Sequence, residues 1–349
     1  MRTLLLSLFL VFANLCFAQW TKLDSGTDAS LRGVSAVDAN VCWVTGSKGT
    51  VLRTTDAGKH WTKLPVPNAE KLDFRDVEAF NADIAIIMSA GLAEQGAGKI
   101  FKTTDAGAHW KEVMTIDRKG IFFDSMAFWD SKRGIVFSDP VDGHFVLWST
   151  TDGGDRWQEL HPDTMPAALP NEGAFAASGT AIAVAGKNDV WFGTGGASVS
   201  RVFHSSDRGK HWTVSEVPIV AGKASAGVFG VAFKDKKHGV AVGGDYTTPS
   251  SEVAPFAYSS DGGKTWKASS EKAVPLGGVV FAGGIYYGIG NVMASSGNGL
   301  RWKLDSGVSG YALSAVILKE TVNKFSLIYV VGSKGGIWGK DTVVEIEVD

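Results

Sequence analysis

Apolar and polar positions in this chain alternate in short runs, and the runs recur. In the first stretch Leu31–Val37, Val41–Thr45 and Thr50–Thr54 are rich in β-branched and aromatic residues and are separated by Gly/Asp/Asn turns, and a fourth run follows at Trp61–Leu64. Short runs of this composition between turn residues predict strands joined by hairpins. Equivalent runs open later units at Phe74–Phe80, Phe122–Trp129, Phe175–Thr180, Val228–Phe233, Gly278–Ala282 and Tyr311–Leu318. No stretch sustains a helical period. Four strands in each of seven units predict an all-β chain folded as a single seven-bladed β-propeller.

The turn before each fourth run carries a sharper signal. Five segments read Ser/Thr-X-Asp-X-Gly-X-X-Trp, with aspartates Asp56, Asp105, Asp152, Asp207 and Asp261 spaced by 49, 47, 55 and 54 residues. Their tryptophans are Trp61, Trp110, Trp157, Trp212 and Trp266. A degenerate copy runs from Ser295 to Trp302, with Gly297 in the aspartate position. The repetition assigns these residues to structure. The Asp accepts hydrogen bonds from turn N–H groups, the Gly supplies a backbone conformation other residues avoid, and the Trp packs between blades. His60, His109 and His211 repeat with the turn and read as exposed decoration, so no metal site is expected.

The last unit ends at Gly336–Trp338 without a fourth run. The missing piece stands at the other end of the chain, where Trp20-Thr21-Lys22-Leu23-Asp24-Ser25-Gly26 repeats the Trp302-Lys303-Leu304-Asp305-Ser306-Gly307 pattern. An N-terminal strand is therefore expected to complete the seventh blade and cover its open edge. The propeller is bounded at 19–341, with 342–349 left as an extra strand or a tail.

Ahead of it, Arg2, an apolar run from Leu4 to Phe12 and small residues before position 19 read as a secretory signal peptide over 1–18, cleaved after Ala18. The mature protein is then secreted or periplasmic, and no other run is long enough to span a bilayer. Without Cys16 the only cysteine is Cys42, so no internal disulfide can form. The formal net charge of −2 carries no acidic or basic tail, which gives no reason to expect a nucleic-acid or membrane partner. A monomer is expected.

In a propeller the innermost strands start at the face opposite the Asp-turns, and the loops between second and third strands return to it. Arg32, Arg75, Asp76, Asp124 and Glu172 fall at strand starts. Asp139, His144, Asp245 and Tyr246 fall on returning loops, which vary in length as binding loops do. These nine are the candidate binding residues; none is assigned to catalysis. Two arginines among carboxylates suit a polar or acidic partner segment.

The repeats, the Gly-Ser-Lys-Gly turns at Gly46–Gly49 and Gly332–Gly335 and the leader together resemble secreted bacterial relatives of the photosystem II stability/assembly factor family. That family lies within the wider BNR/Asp-box, YVTN/WD40-like propellers. The resemblance implies a non-enzymatic chaperone that binds newly made proteins without a cofactor, with Arg32 and Arg75 as counterparts of an arginine-rich surface. Two other classes stay open. Sialidases and xyloglucan-cleaving enzymes share the fold, and a two-carboxylate hydrolase acting on a polysaccharide could draw on Asp124, Asp139, Asp142 or Glu172; a Tyr/Glu pair would have to come from Tyr246 and Glu252. An oxidoreductase would need a dinucleotide, haem or dithiol motif, and the chain carries none.

Overall fold

The computed structural model describes residues 20–248, 254–319 and 324–344. The leader at 1–18, Glu252 and the last residues 345–349 lie outside them. Seven four-stranded antiparallel sheets succeed one another along the chain and close into a ring. We number them blades 1–7. Their innermost strands are Leu31–Ala36, Asp73–Ala79, Phe123–Phe128, Ile182–Ala185, Ala226–Phe233, Leu276–Ala282 and Ala312–Lys319.

Blades pack face to face, so their middle strands are covered on both sides and need no polar face. Ala85–Ala90, of sequence AIIMSA, is buried at every position, as is Cys42–Gly46. The cores are consequently layers between neighbouring blades. One joins Trp43 and Val51 of blade 1 to Phe74, Ile87 and Phe101 of blade 2.

Each Asp-turn directs its tryptophan backwards along the chain. Trp61 meets Tyr329 of blade 7 edge-on at 6.2 Å, Trp110 meets Trp43 of blade 1 at 6.3 Å, and Trp302 stacks on Phe256 of blade 5 at 4.2 Å. The turn itself is a small polar cage. Thr54 Oγ1 donates to Asp56 Oδ1 (2.8 Å) and accepts from Gly58 N–H (2.9 Å), while His60 N–H donates to the same Asp56 oxygen (2.9 Å). The His60 ring closes the cage, Nδ1 standing 2.6 Å from Asp56 Oδ2. In the degenerate sixth copy the cage sits one residue later than the sequence spacing implies. Ser296 Oγ accepts Gly299 N–H (2.8 Å), and Asn298 Oδ1 takes the N–H groups of Leu300 and Arg301 (2.9 and 3.0 Å). An amide oxygen can accept as a carboxylate does, so Gly297 needs no side chain there.

The chain ends meet in blade 7. Thr21–Leu23 pairs antiparallel with Ile337–Val344 in the register Thr21↔Gly339, Lys22↔Trp338, Leu23↔Ile337. Trp20 Nε1 donates to Asp305 Oδ2 of blade 6 at 3.2 Å, which ties the closing strand to the neighbouring sheet. The third strand continues to Val344, past the boundary expected at 341.

At the ring axis each innermost strand presents an edge whose N–H groups need partners. In blades 1, 2 and 3 side chains of the preceding blade supply them. Ala36 N–H donates to Ser314 Oγ (3.1 Å), Ala79 N–H to Ser35 Oγ (3.1 Å) and Met126 N–H to Asp76 Oδ2 (2.8 Å).

One unit departs from the expected strands. Phe175–Thr180, expected to open blade 4, is a turn segment that enters the ring, and the strand begins only at Ile182. Ala176 O accepts from Arg75 Nη1 of blade 2 (3.1 Å), Ser178 Oγ donates to Gly277 O of blade 6 (3.1 Å), and Thr180 Oγ1 accepts Val279 N–H (3.2 Å). The residues between Phe175 and Thr180 are Ala, Ala, Ser and Gly, small enough for the crowded axis. A Cβ on Gly179 would stand 2.2 Å from Asp76 Oδ1, so glycine is required there. The segment plugs the ring and makes its mouth a closed cup.

Candidate functional site

Five innermost strands begin with a register slip against the second strand. The slips fall between Leu31 and Gly33, Phe74 and Asp76, Phe123 and Ser125, Val228 and Gly230, and Leu276 and Gly278. The bulged residues are Arg32, Arg75, Asp124, Phe229 and Gly277. A bulge re-aims the extra side chain, and here the position repeats around the ring. A cavity of about 560 Å³ lies at this mouth, and all seven blades or their entry segments reach it. Arg32, Arg75, Asp139 and Tyr246 line it, joined by Phe122, Phe175, Phe229, Asn291 and Tyr311.

One wall is aromatic. Phe175 and Phe229 meet edge-on at 4.6 Å, Tyr246 stands 6.2 Å from Phe229, and Tyr246 is 62 % exposed. The Arg32 guanidinium lies 4.3 Å from the Tyr311 ring centre. Burial and then the nearby Arg75 lower the Arg32 pKa, with Asp73 and Tyr311 acting in opposition. Arg75 is held by Asp73, Nε to Oδ2 at 2.8 Å, and by the plug.

One side carries Asp139, and further carboxyls lie buried outside the cavity lining. Burial raises the Asp139 pKa against the Ala174 N–H that bonds its Oδ1 at 2.8 Å. Asp124, 1 % exposed, is raised well above the carboxylate range by burial first and by Asp139 second. Deeper on the axis, burial pushes Asp76 up to about 6 despite bonds from Met126, Ser125 and Val77, and Glu78 rises through burial and the adjacent Asp76.

The remaining sequence candidates stand elsewhere. Glu172 is buried and bound to Arg201 and Thr194, so it belongs to the scaffold. Asp245 is also scaffold: Lys223, Thr247 and Ser225 hydrogen-bond its carboxylate and depress its pKa. Asp76 is the inter-blade latch described above. His144 is exposed beside Asp142 at a separate cavity of about 510 Å³ on the outer side of blade 3. Of the carboxylates weighed for two-carboxylate chemistry, only Asp139 therefore reaches the mouth cavity. Sequence reasoning missed Phe175, Phe229 and Tyr311. The signal for Phe229 and Tyr311 was present, as an aromatic residue at the start of a β-run aligned with Arg32 and Arg75.

Two family models match the chain: "Sortilin, neurotensin receptor 3" (Sortilin-Vps10) over residues 49–179 and the BNR/Asp-box repeat over residues 257–268. No curated protein matches in sequence. Among solved structures, YCF48 bound to D1 peptide is 15 % identical with a TM-score of 0.60, covering 94 % of this chain and 98 % of that one. YCF48 from Cyanidioschyzon merolae is 15 % identical with a TM-score of 0.62, covering 93 % and 99 %. An ancestral GH74 enzyme is 12 % identical with a TM-score of 0.61, covering 92 % of this chain but 46 % of the enzyme. At these identities the likeness is one of fold, shared by binding proteins and an enzyme alike. The chain is a seven-bladed β-propeller with a BNR/Asp-box repeat match, similar in fold to YCF48.

Proposed function

We propose that this is a secreted or periplasmic, non-enzymatic propeller whose mouth holds an extended segment of a protein partner. The observation that carries the reading is the cup itself: bulges aim side chains inward, the plug closes the axis, and exposed Tyr246 faces a cavity with an aromatic wall. Arg32 adds a handle, because its guanidinium makes no hydrogen bond among the described residues and is free to grip a carboxylate. A related fold bound to a peptide supports the class of occupant. Secretion rests on the leader sequence at 1–18, and a monomer is the working state.

The test is a photo-crosslinking residue placed at Tyr246, with Lys59 on the opposite face as control, in protein expressed in its host. The reading expects a discrete cross-linked protein from the mouth only, reduced at least several-fold by Arg32→Ala. Equal capture from both faces would overturn it. Retention of a polysaccharide at the mouth, lost in Tyr246→Ala, would instead move the partner to carbohydrate. N-terminal sequencing of exported protein should begin at Gln19.

A further inference from the structure

Next to the mouth cavity, but outside its lining, stands one group whose needs the fold does not fully meet. Asp124 occupies the same bulge position as Arg32 and Arg75, yet it is 1 % exposed and neither carboxyl oxygen has a partner in full hydrogen-bond geometry; the Asp139 N–H and the Arg75 charge only partly offset the burial that raises its pKa. The neighbouring Asp139 N–H donates to Phe122 O, at 3.1 Å. Arg75, the nearby cation, already spends Nε on Asp73 and Nη1 on Ala176 O. Above Asp124 stands Asp139, which lines the cavity and commits Oδ1 to Ala174 N–H while Oδ2 accepts nothing among the described residues. A buried carboxyl left without full partners is destabilising. Such a group is expected where a ligand relieves the cost.

The two carboxyls select the ligand. An anion is repelled by the ionised form of the pair, and a neutral amide cannot stabilise that form against burial, whereas a cation can. Among the described residues no three ligating side chains gather, so a metal ion would find too few donors. A lysine ammonium supplies three donors on a slim apolar stem, which the Phe122 and Phe175 rings of the cavity wall can flank. Resting on the reading of the mouth as a peptide site, we propose that Asp139 and Asp124 form the receptor for a lysine side chain of the partner segment. The ammonium binds Asp139 at the cavity wall, and its charge acts on Asp124 buried behind it. Arg32, Arg75 and Asp73 set the charge around it at the rim, and Asp76 and Glu78 lie below.

The experiment uses fluorescein-labelled nonapeptides Gly-Ala-Tyr-Ala-X-Ala-Tyr-Ala-Gly with X as Lys, norleucine or Glu, titrated by anisotropy. Wild type should bind the Lys peptide about tenfold more tightly than the norleucine peptide, the gain of one charge-assisted hydrogen bond, and the Glu peptide least. In Asp124→Asn and, separately, Asp139→Asn, that preference should fall below about threefold, while Tyr246→Ala should weaken all peptides alike. Peptide binding that Tyr246→Ala reduces but that shows no Lys preference overturns the lysine receptor and leaves the mouth reading standing. Absence of binding, or binding indifferent to Tyr246→Ala, overturns both. Displacement of the Lys peptide by millimolar calcium, abolished in Asp124→Asn, would reassign the pair to a cation and overturn the proposal.

Discussion

Arg201 Nε donates to Glu172 Oε1 at 2.8 Å across 29 residues of chain, both side chains being buried. Glu172 Oε2 also takes Leu169 N–H at 2.7 Å, so the pair fastens the base of the excursion whose tip plugs the ring. Removing one partner strands a charge in the interior, which typically costs about 3–5 kcal/mol, whereas removing both often costs little. Arg201→Met should therefore lower stability in urea unfolding by roughly that amount, and Glu172→Gln/Arg201→Met should recover most of it. An Arg201→Met protein as stable as wild type would show that the pair does not anchor the excursion.

The carboxylates divide into two groups whose pH effects have opposite signs. Asp76 has its pKa raised to about 6 by burial, and Asp124, Asp139 and Glu78 are raised too, so the native state binds their protons more tightly than the unfolded chain. Stability from this group grows as pH falls from neutrality through 6 and is complete below the unfolded values near 4. The lowered pKa of half-buried His204 opposes it over part of that range. Asp56, Asp105 and Asp207 lie near 2, held down by hydrogen bonds from the turn, chiefly from His60 and His109 for the first two, while burial works against them in Asp207. Their stabilisation is present above about 4 and is lost as pH falls through 2. The denaturation midpoint should peak between pH 4 and 6 and fall on both sides. A midpoint that climbs steadily from pH 5 to 7.5 would contradict the assignment of the axial acids.

The blades were legible because each repeats a turn whose chemistry is local: Thr54, Asp56, Gly58 and Trp61 act within eight residues of one another, and the spacing of five copies fixes the ring. Ring closure was legible from a copied segment, Trp20–Gly26 against Trp302–Gly307. The mouth was only half legible. Arg32 and Arg75 could be found by aligning strand starts, but Phe175–Thr180 stands where the repeat spacing calls for a strand and is drawn inwards by long-range contacts to Arg75, Gly277 and Val279. Glu172 read as a mouth carboxylate for the same reason, since nothing near it in sequence announces Arg201. Long-range pairing, not local propensity, decides those positions.

Closure by a three-residue strand makes a direct prediction. Thr21–Leu23 covers the Ile337–Gly339 edge, and Leu23 packs with Trp61 and Tyr329 in the layer between blades 7 and 1. Deleting residues 19–24 exposes that edge and removes the Trp20–Asp305 tie. The truncated protein should melt roughly 3–4 °C lower, as for a loss of about 2–3 kcal/mol in a chain of this size, and should associate through the bared strand. Thermal melts with light scattering read both effects. An unchanged melting temperature would mean that the ring closes through other contacts.

The five turns also disagree among themselves, and the disagreement can be used. Each places two successive residues in the left-handed region. In the third and fifth both are glycine, Gly153 with Gly154 and Gly262 with Gly263, whereas the first, second and fourth begin with Ala57 (φ 62°), Ala106 (φ 66°) and Arg208 (φ 62°). A side chain at positive φ costs energy that glycine avoids, partly offset by the greater freedom glycine has when unfolded. Ala57→Gly and Ala106→Gly should each stabilise by about 0.5–1 kcal/mol and add, being on separate blades. Arg208→Gly should gain less, because Arg208 Nε donates to Lys187 O (3.1 Å) and Asn188 Oδ1 (2.9 Å) and those bonds are lost with it. If the three variants gain equally in urea unfolding, the side-chain bonds of Arg208 are worth nothing; if the alanine variants lose stability, the turns are not strained at that position.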